Sequence, residues 1–284
     1  MAEKNKVKVA AVQMEPKLMD TTENLNRMKS MTREAASRGA NLIVFPECSL
    51  TGYVFHGRTE AIPYAETIPG PSSEELARLC RELQVLVIYG LLEKNGDRLY
   101  NAAALTGPQG FIAGYRKNHL PFLGLDRFVD LDHQSIEPHK TPIGTIGLQI
   151  CYDIAFPESA RVLTLLGAEI LALSTNFPQG RAEKYRHVIC ARAFENRVYV
   201  VSANRVGTER SHSFGGLSMI ADVSGEILSQ ASPDREEIIF AEVDPIQARQ
   251  KHQVVVPGEW EYNYFAARRP ELYRVITKTG KKTG

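Results

Sequence analysis

Little in this chain of 284 residues is in excess, and each shortage narrows what it can be. Neither sign of charge dominates: 34 lysines and arginines face 33 aspartates and glutamates, for a formal net charge of +1. That balance supplies no general field for nucleic acid or an anionic membrane surface, so no nucleic-acid or membrane partner is expected and a small substrate is the default. No apolar run approaches the ~20 residues of a membrane span. The opening Met1-Ala2-Glu3-Lys4-Asn5-Lys6 lacks the hydrophobic region of a secretory leader. Cysteine is scarce: Cys48, Cys80, Cys151 and Cys190 show no paired spacing. Reduced thiols in a cytoplasmic setting are therefore expected over a disulfide framework. There is no His-x-x-x-His, no Cys-x-x-Cys and no clustered acidic loop, and Gly215-Gly216 is an isolated pair unlike a phosphate-binding loop. The expectation is no metal and no cofactor.

What is present is an ordinary globular composition, 43% hydrophobic and 24% charged, with a partial internal repeat. Val7 to Met14 reads as a buried strand, the stretch from Thr22 as a helix closed by Gly39, and Asn41 to Phe45 as a short buried strand. Ser72 to Glu75 carries a capping-box pattern, Val85 to Leu92 a third strand, and Leu99 to Tyr115 a hairpin pair. The order returns later: a strand over Ile143 to Ile150, a helix from Pro157, strands at Glu169 to Leu173 and Arg197 to Asn204, and a strand over Phe214 to Asp222. Two such halves pack as two sheets face to face with helices outside, a four-layer αββα sandwich. One domain over 1–252 is expected, followed by an extension over 253–284 with Trp260, Tyr262, Tyr264 and Phe265 that docks on the domain or a neighbouring subunit. Its last residues, from about Lys278, are expected to be disordered.

The centre of the chain is Gln149-Ile150-Cys151-Tyr152-Asp153, where an apolar strand ends on a cysteine and Phe156-Pro157-Glu158 opens a helix. A side chain on such a turn stands at the rim of the sheet, with the next backbone N–H free to meet an oxyanion. A lone cysteine is more often inert core. Here two further stretches accompany it: Phe45-Pro46-Glu47-Cys48-Ser49-Leu50-Thr51-Gly52-Tyr53, and Tyr115-Arg116-Lys117-Asn118-His119-Leu120. In this order the three resemble the catalytic blocks of the nitrilase superfamily, the carbon-nitrogen hydrolases, over about Lys6 to Asp244.

The resemblance implies the αββα fold of that family and three roles. Cys151 is the nucleophile, Glu47 the proton shuttle, and Lys117 with the Tyr152 backbone N–H the oxyanion site. Many members carry a second active-site glutamate a few residues after the lysine. Here the only acid between Lys117 and Phe128 is Asp126, which either orients Lys117 or the substrate, or pairs with Arg127 and takes no catalytic part. The 118–142 stretch reads as a long substrate-side loop. Tyr53, Phe122, Asn176, Phe177 and His187 are the candidate substrate contacts. A Cys-His alternative would use His119 or His187, but no flanking motif supports it.

Cys151-Tyr152-Asp153 looks like the amidase and carbamoylase branches, whereas nitrilases of the family typically follow the cysteine with Trp-Glu. The expected activity is cofactor-independent hydrolysis of a small linear amide to acid and ammonia through a Cys151 thioester. The alternatives are an N-carbamoyl amino acid or carbamoyl-amine amidohydrolase, a nitrilase, and a silent scaffold. A carbamoyl amino acid would call for an arginine to grip its carboxylate, with Arg181, Arg186 and Arg192 in the region. Arg192 to Arg197 corresponds to a segment that commonly packs across a subunit interface in the family, so a homodimer or larger even-numbered homo-oligomer is expected.

Overall fold

The computed structural model describes residues 6–133 and 135–278; the end expected to be disordered lies, from residue 279, outside the described residues. The chain divides after Arg249 into two compact units. In the first, β1 (Val7–Gln13), α1 (Thr21–Ser37), β2 (Leu42–Val44), the short α2 (Arg58–Ala61), α3 (Pro71–Leu83), β3 (Leu86–Asn95), β4 (Arg98–Gly107) and β5 (Gly110–Arg116) make the first half. β6 (His139–Thr141), β7 (Gly144–Ile150), α4 (Pro157–Leu165), β8 (Ile170–Ser174), α5 (Ala182–Asn196) and β9 (Tyr199–Ala203) open the second. A small hairpin of β10 (Thr208–Glu209) and β11 (His212–Ser213), then β12 (Met219–Ala221), β13 (Ile227–Gln230), β14 (Glu237–Val243) and α6 (Pro245–Arg249) complete the unit.

The repeat is real in three dimensions. One six-stranded sheet runs β14-β1-β2-β3-β4-β5 and the other, written in matching order, β6-β7-β8-β9-β12-β13. In each, three parallel strands from successive strand-helix units are flanked by antiparallel strands. Alternation along the strands assigns the faces. Val9 and Ala11 join Ile146, Leu148 and Ile150 in the core between the sheets, while Ala10 and Val12 pack outward with Met28 and Ala35 of α1 and Leu76 and Cys80 of α3. On the far side Leu163 of α4 and Ile189 and Ala193 of α5 cover the second sheet. The expected four-layer αββα sandwich is the observed fold.

Two local expectations are corrected. The capping box forms between Gly70 and Ser73, not Ser72 and Glu75: the Gly70 N–H donates to Ser73 Oγ at 2.7 Å, because Pro71 takes the first helical position and starts α3 earlier. The strand over Phe214 to Asp222 shortens to Met219–Ala221, since Gly216 lies at φ +53° with a backbone carbonyl where a Cβ would stand. The second unit contains a hairpin of β15 (Gln253–Val256) and β16 (Trp260–Tyr262), with the Tyr262 and Tyr264 rings 5.4 Å apart.

Candidate active site

The C-terminal ends of the central strands of both sheets bring the sequence-predicted residues together, as open α/β sheets generally do with ligand-binding groups. Glu47 leaves β2 on a loop that is pressed against β3. A Cβ on Gly90 of β3 would lie 2.3 Å from the Cys48 nitrogen and 2.7 Å from the Glu47 Cα, so only glycine lets the loop approach this closely. Lys117 is the first residue past β5, and its N–H donates to the Asn101 carbonyl of β4 at 2.8 Å. Cys151 is the first residue of the tight 3-10 turn Cys151–Ala155 after β7. Its φ of +45° is strained for a non-glycine residue. The sequence reading of a sharp strand-to-helix turn is thus met by a specific backbone conformation.

Around Lys117 the side chains form a closed buried cluster. Its Nζ donates to Glu47 Oε1 at 2.7 Å and to Asp126 Oδ2 at 2.6 Å, with all three side chains fully buried. The Asn101 Nδ2 donates to Glu47 Oε1 at 2.7 Å and to Asp126 Oδ1 at 2.8 Å. The Tyr53 hydroxyl lies 2.8 Å from Asp126 Oδ2. Glu47 Oε2 is buried and has no hydrogen-bond partner among the described residues. An ammonium has three donors; the two carboxylates use two, leaving one for a third acceptor.

The electrostatics follow from burial. Burial pushes the Glu47 carboxyl above its usual range, with the Lys117 ammonium acting against it. Burial also opposes the charge on Lys117, but Glu47 and Asp126 outweigh it and hold its pKa well above that of a free lysine. The Cys151 thiol, 8% exposed, is pushed well up by burial and then by the charge of Glu47; Lys117 and the Asn176 backbone N–H pull the other way. The resting arrangement is a neutral thiol beside a charged lysine and a carboxylate with raised proton affinity. Such a carboxylate is a better proton acceptor near neutral pH than an exposed one.

A third buried carboxylate ties the nucleophile turn to the lysine. Asp153 accepts from the Ile150 N–H at 3.0 Å, the His119 N–H at 3.0 Å and the Tyr115 hydroxyl at 2.7 Å, and meets His119 Nδ1 at 2.7 Å. Tyr115 and His119 flank Lys117 by two residues on either side, so Asp153 fixes the spacing between Lys117 and Cys151.

The remaining candidates separate. Asp126 sits on Lys117, while Arg127 donates to the carbonyls of Gly124 and Phe55. Asn176 follows β8, whose last residue Ser174 donates to the Phe45 carbonyl at 2.8 Å; its carboxamide is buried, with both polar atoms unpartnered among the described residues. Phe177 is buried and stacks on Tyr185 of α5 at 3.9 Å. Tyr53 is buried with its hydroxyl on Asp126, the carboxylate that holds Lys117. Phe122 is 89% exposed and His187 is exposed on α5. His119 stacks on Phe156 at 3.8 Å with its Nδ1 on Asp153, so its near ring nitrogen is committed. Arg192 donates to the Ile154 and Ala155 carbonyls and pairs with Glu195, while Arg181 and Arg186 are exposed. Sequence reasoning missed Asn101, Tyr185 and the clamp by Asp153. A lone asparagine inside the apolar run Leu99 to Leu105 was the available signal for the first.

Comparison with known proteins shows the family. The carbon-nitrogen hydrolase family model matches residues 8–253. A protein of Pyrococcus abyssi named nitrilase is 40% identical over 246 residues, covering 86% of this chain and 92% of that one. A Pseudomonas protein named (R)-stereoselective amidase is 31% identical over 271 residues, 93% of this chain and 92% of the relative. The crystal structure of a carbon-nitrogen hydrolase from Helicobacter pylori superposes with a TM-score of 0.86 at 22% identity, covering 97% and 99% of the two chains, a likeness of fold. The chain belongs to the carbon-nitrogen hydrolase family of the nitrilase superfamily: it is a hydrolase acting on C–N bonds other than peptide bonds.

Proposed function

We propose that the protein is a cofactor-independent thiol amidohydrolase that converts a small linear amide to carboxylic acid and ammonia through a thioester on Cys151. The observation that carries this reading is the buried Glu47 Oε2, without a partner among the described residues in a cluster whose other carboxylate and amide atoms are hydrogen-bonded. A carboxylate oxygen held dry and free, with raised proton affinity, is suited to take the thiol proton.

In this reaction Cys151 Sγ adds to the carbonyl carbon as its proton passes to Glu47 Oε2. The third Lys117 N–H and the Tyr152 backbone N–H hold the oxyanion, the function that commonly contributes most to such a rate. Collapse of the tetrahedral centre expels ammonia with the proton from Glu47. Glu47 then activates a water that cleaves the thioester, and the acid leaves as the thiol regains its proton. Asp126 holds Lys117 from the other side, in the position the family's second glutamate would serve. The free carboxamide of Asn176 offers both a donor and an acceptor group, the complement of a primary amide and more than a nitrile, which only accepts, can use. We expect the enzyme to work as a homodimer or larger even-numbered homo-oligomer.

The nitrile reading is favoured by the name of the Pyrococcus relative. The carbamoyl amino acid reading has lost one of its arginines, since Arg192 is committed to the carbonyls of the nucleophile turn. The deciding experiment measures ammonia release by wild type and Cys151→Ala over short aliphatic amides, ω-amides of dicarboxylic acids, carbamoyl amino acids and nitriles. Release from amides that vanishes in Cys151→Ala is the expected result. Preference for carbamoyl compounds with carbon dioxide release, or for nitriles, would overturn the amide assignment. Trapping of no Cys151 adduct by mass spectrometry would overturn the thioester.

A further inference from the structure

Asn101 is 1% exposed on β4, between Tyr100 and Ala102 in a strand otherwise apolar from Leu99 to Leu105. It touches three members of the cluster. Its Nδ2 reaches Glu47 Oε1 at 2.7 Å and Asp126 Oδ1 at 2.8 Å, and its backbone carbonyl accepts the Lys117 N–H at 2.8 Å. Its Oδ1 lies 3.5 Å from the Cys48 Sγ, which donates to it. We propose that Asn101 is a positioning residue for the reaction: by donating from one nitrogen to both carboxylates that flank Lys117, it holds Glu47 with Oε1 anchored and Oε2 alone left for proton transfer. This rests on the reading of Glu47 as the proton shuttle.

The donor pattern allows one orientation of the amide. Turned over, it would set a carbonyl oxygen against two carboxylates and leave the buried Cys48 thiol with an NH₂ group. Cys48 can serve as the donor because burial, together with the charges of Glu47 and Asp126, keeps it a neutral thiol. Oε1 of Glu47 therefore receives two bonds, one from an ammonium and one from an amide, and the torsion that would exchange its oxygens is blocked. Both bonds favour the ionised carboxylate against its burial. Lys117 alone cannot do this, since it pulls on Asp126 as well as on Glu47, and the Tyr53 hydroxyl that also holds Asp126 does not reach Glu47. The fixed strand β4 supplies the rigidity that side chains on the two loops lack.

The test reads the acidic midpoint of Cys151 alkylation by iodoacetamide, followed by mass spectrometry of the peptide that carries Cys151, since Cys190 is also a partly exposed free thiol; it needs no knowledge of the natural substrate. That midpoint marks the step at which the Glu47–Cys151 pair passes from two shared protons to one. Asn101→Ala is expected to move it up by about one pH unit, the size of one hydrogen bond to a charged group. Asn101→Asp keeps the shape but turns a third carboxylate on the other two, and is expected to move it further. A residue that acted through shape alone would give the reverse order. Unchanged midpoints in both variants, or a wild-type midpoint in Asn101→Asp with a shift only in Asn101→Ala, overturns the proposal. Should Asn101→Asp fail to fold, Asn101→Ala decides alone, an unchanged midpoint again being fatal. If Glu47→Gln leaves the wild-type midpoint where it is, the reading of Glu47 falls first and this inference with it.

Discussion

Replacing Lys117 with methionine removes the one cation from a fully buried site while keeping an unbranched side chain one atom shorter. Glu47 and Asp126 then share only the Asn101 amide and the Tyr53 hydroxyl, with no positive charge within the cluster. Removing one partner of a buried pair costs about 3–5 kcal/mol, because the remaining charge is left uncompensated. The loss must depend on pH, and its sign can be worked out. Burial already raises the Glu47 carboxyl against the pull of Lys117; without the lysine its folded-state pKa rises further above the unfolded value near 4.5. A carboxyl shifted this way contributes stability below its unfolded pKa and loses it as pH rises through the folded one. The deficit of Lys117→Met relative to wild type should therefore be largest at pH 8 and shrink toward pH 5, as read from urea unfolding curves at the two values. Turnover at pH 8 should fall at least ~10²-fold, the typical loss of one oxyanion donor. A deficit below about 1 kcal/mol at pH 8, or one of equal size at both pH values, would refute the electrostatic account.

Cys151→Ala should abolish ammonia release while leaving unfolding within about 1 kcal/mol of wild type, since the change is small; residual turnover would sink the nucleophile. Asp153→Ala leaves donors from Ile150, His119 and Tyr115 without their acceptor, so it should cost about 3 kcal/mol or more by summing orphaned donors and lower kcat more than it raises KM. Near-native stability would show that the clamp is not needed. Gly124→Ala should lower both stability and kcat, because a Cβ there would stand 2.2 Å from the Tyr53 ring. Gly96→Ala is the control: φ is +59° but nothing lies within 4 Å, so about 1–2 kcal/mol of left-handed backbone cost and unchanged kcat are expected.

The layers of the fold were legible because the repeat carries its signal in period: buried apolar runs at strand length, helical spacing, and a glycine, Gly39 or Gly167, soon after the first long helix of each half. The expectation failed where a local sequence rule met a stronger neighbour, as when Pro71 moved the start of α3 ahead of the Ser72 pattern. Glu47, Lys117 and Cys151 could be named from flanking motifs, but the residues that hold them could not. Asn101 lies 54 positions from the carboxylate it orients. Asp153 was read only as a mark of the amidase branch, since its partners Tyr115, on β5 of the other sheet, and His119, in the loop after it, are 34 or more positions away. Phe122 and Tyr53 were both taken as substrate contacts because aromatic residues near a catalytic motif carry no sign of which way they face. One is exposed and the other is buried with its hydroxyl on Asp126.

The shorter arm of Asp126 is the feature in which sequence and geometry bear most on each other. An aspartate is one methylene shorter than a glutamate, so its loop must approach Lys117 more closely to make the same contact. The structure shows how. Gly124 adopts φ +51° and lies so near the Tyr53 ring that no side chain fits between them. The Leu125 N–H donates to the Tyr53 carbonyl at 3.0 Å, and the tight turn Gly124–Arg127 closes over it. The Tyr53 hydroxyl then meets the same carboxylate that the turn has brought in, at 2.8 Å. Tyr53 is itself held from behind, its N–H and that of Val54 both donating to Glu209 at 2.9 Å, and Glu209 is paired with the buried Arg205. The chain from Arg205 through Glu209, Tyr53 and Asp126 to Lys117 is continuous and buried along its length. The contact of this short carboxylate with Lys117 thus depends on a glycine and an aromatic ring whose roles no single motif displays.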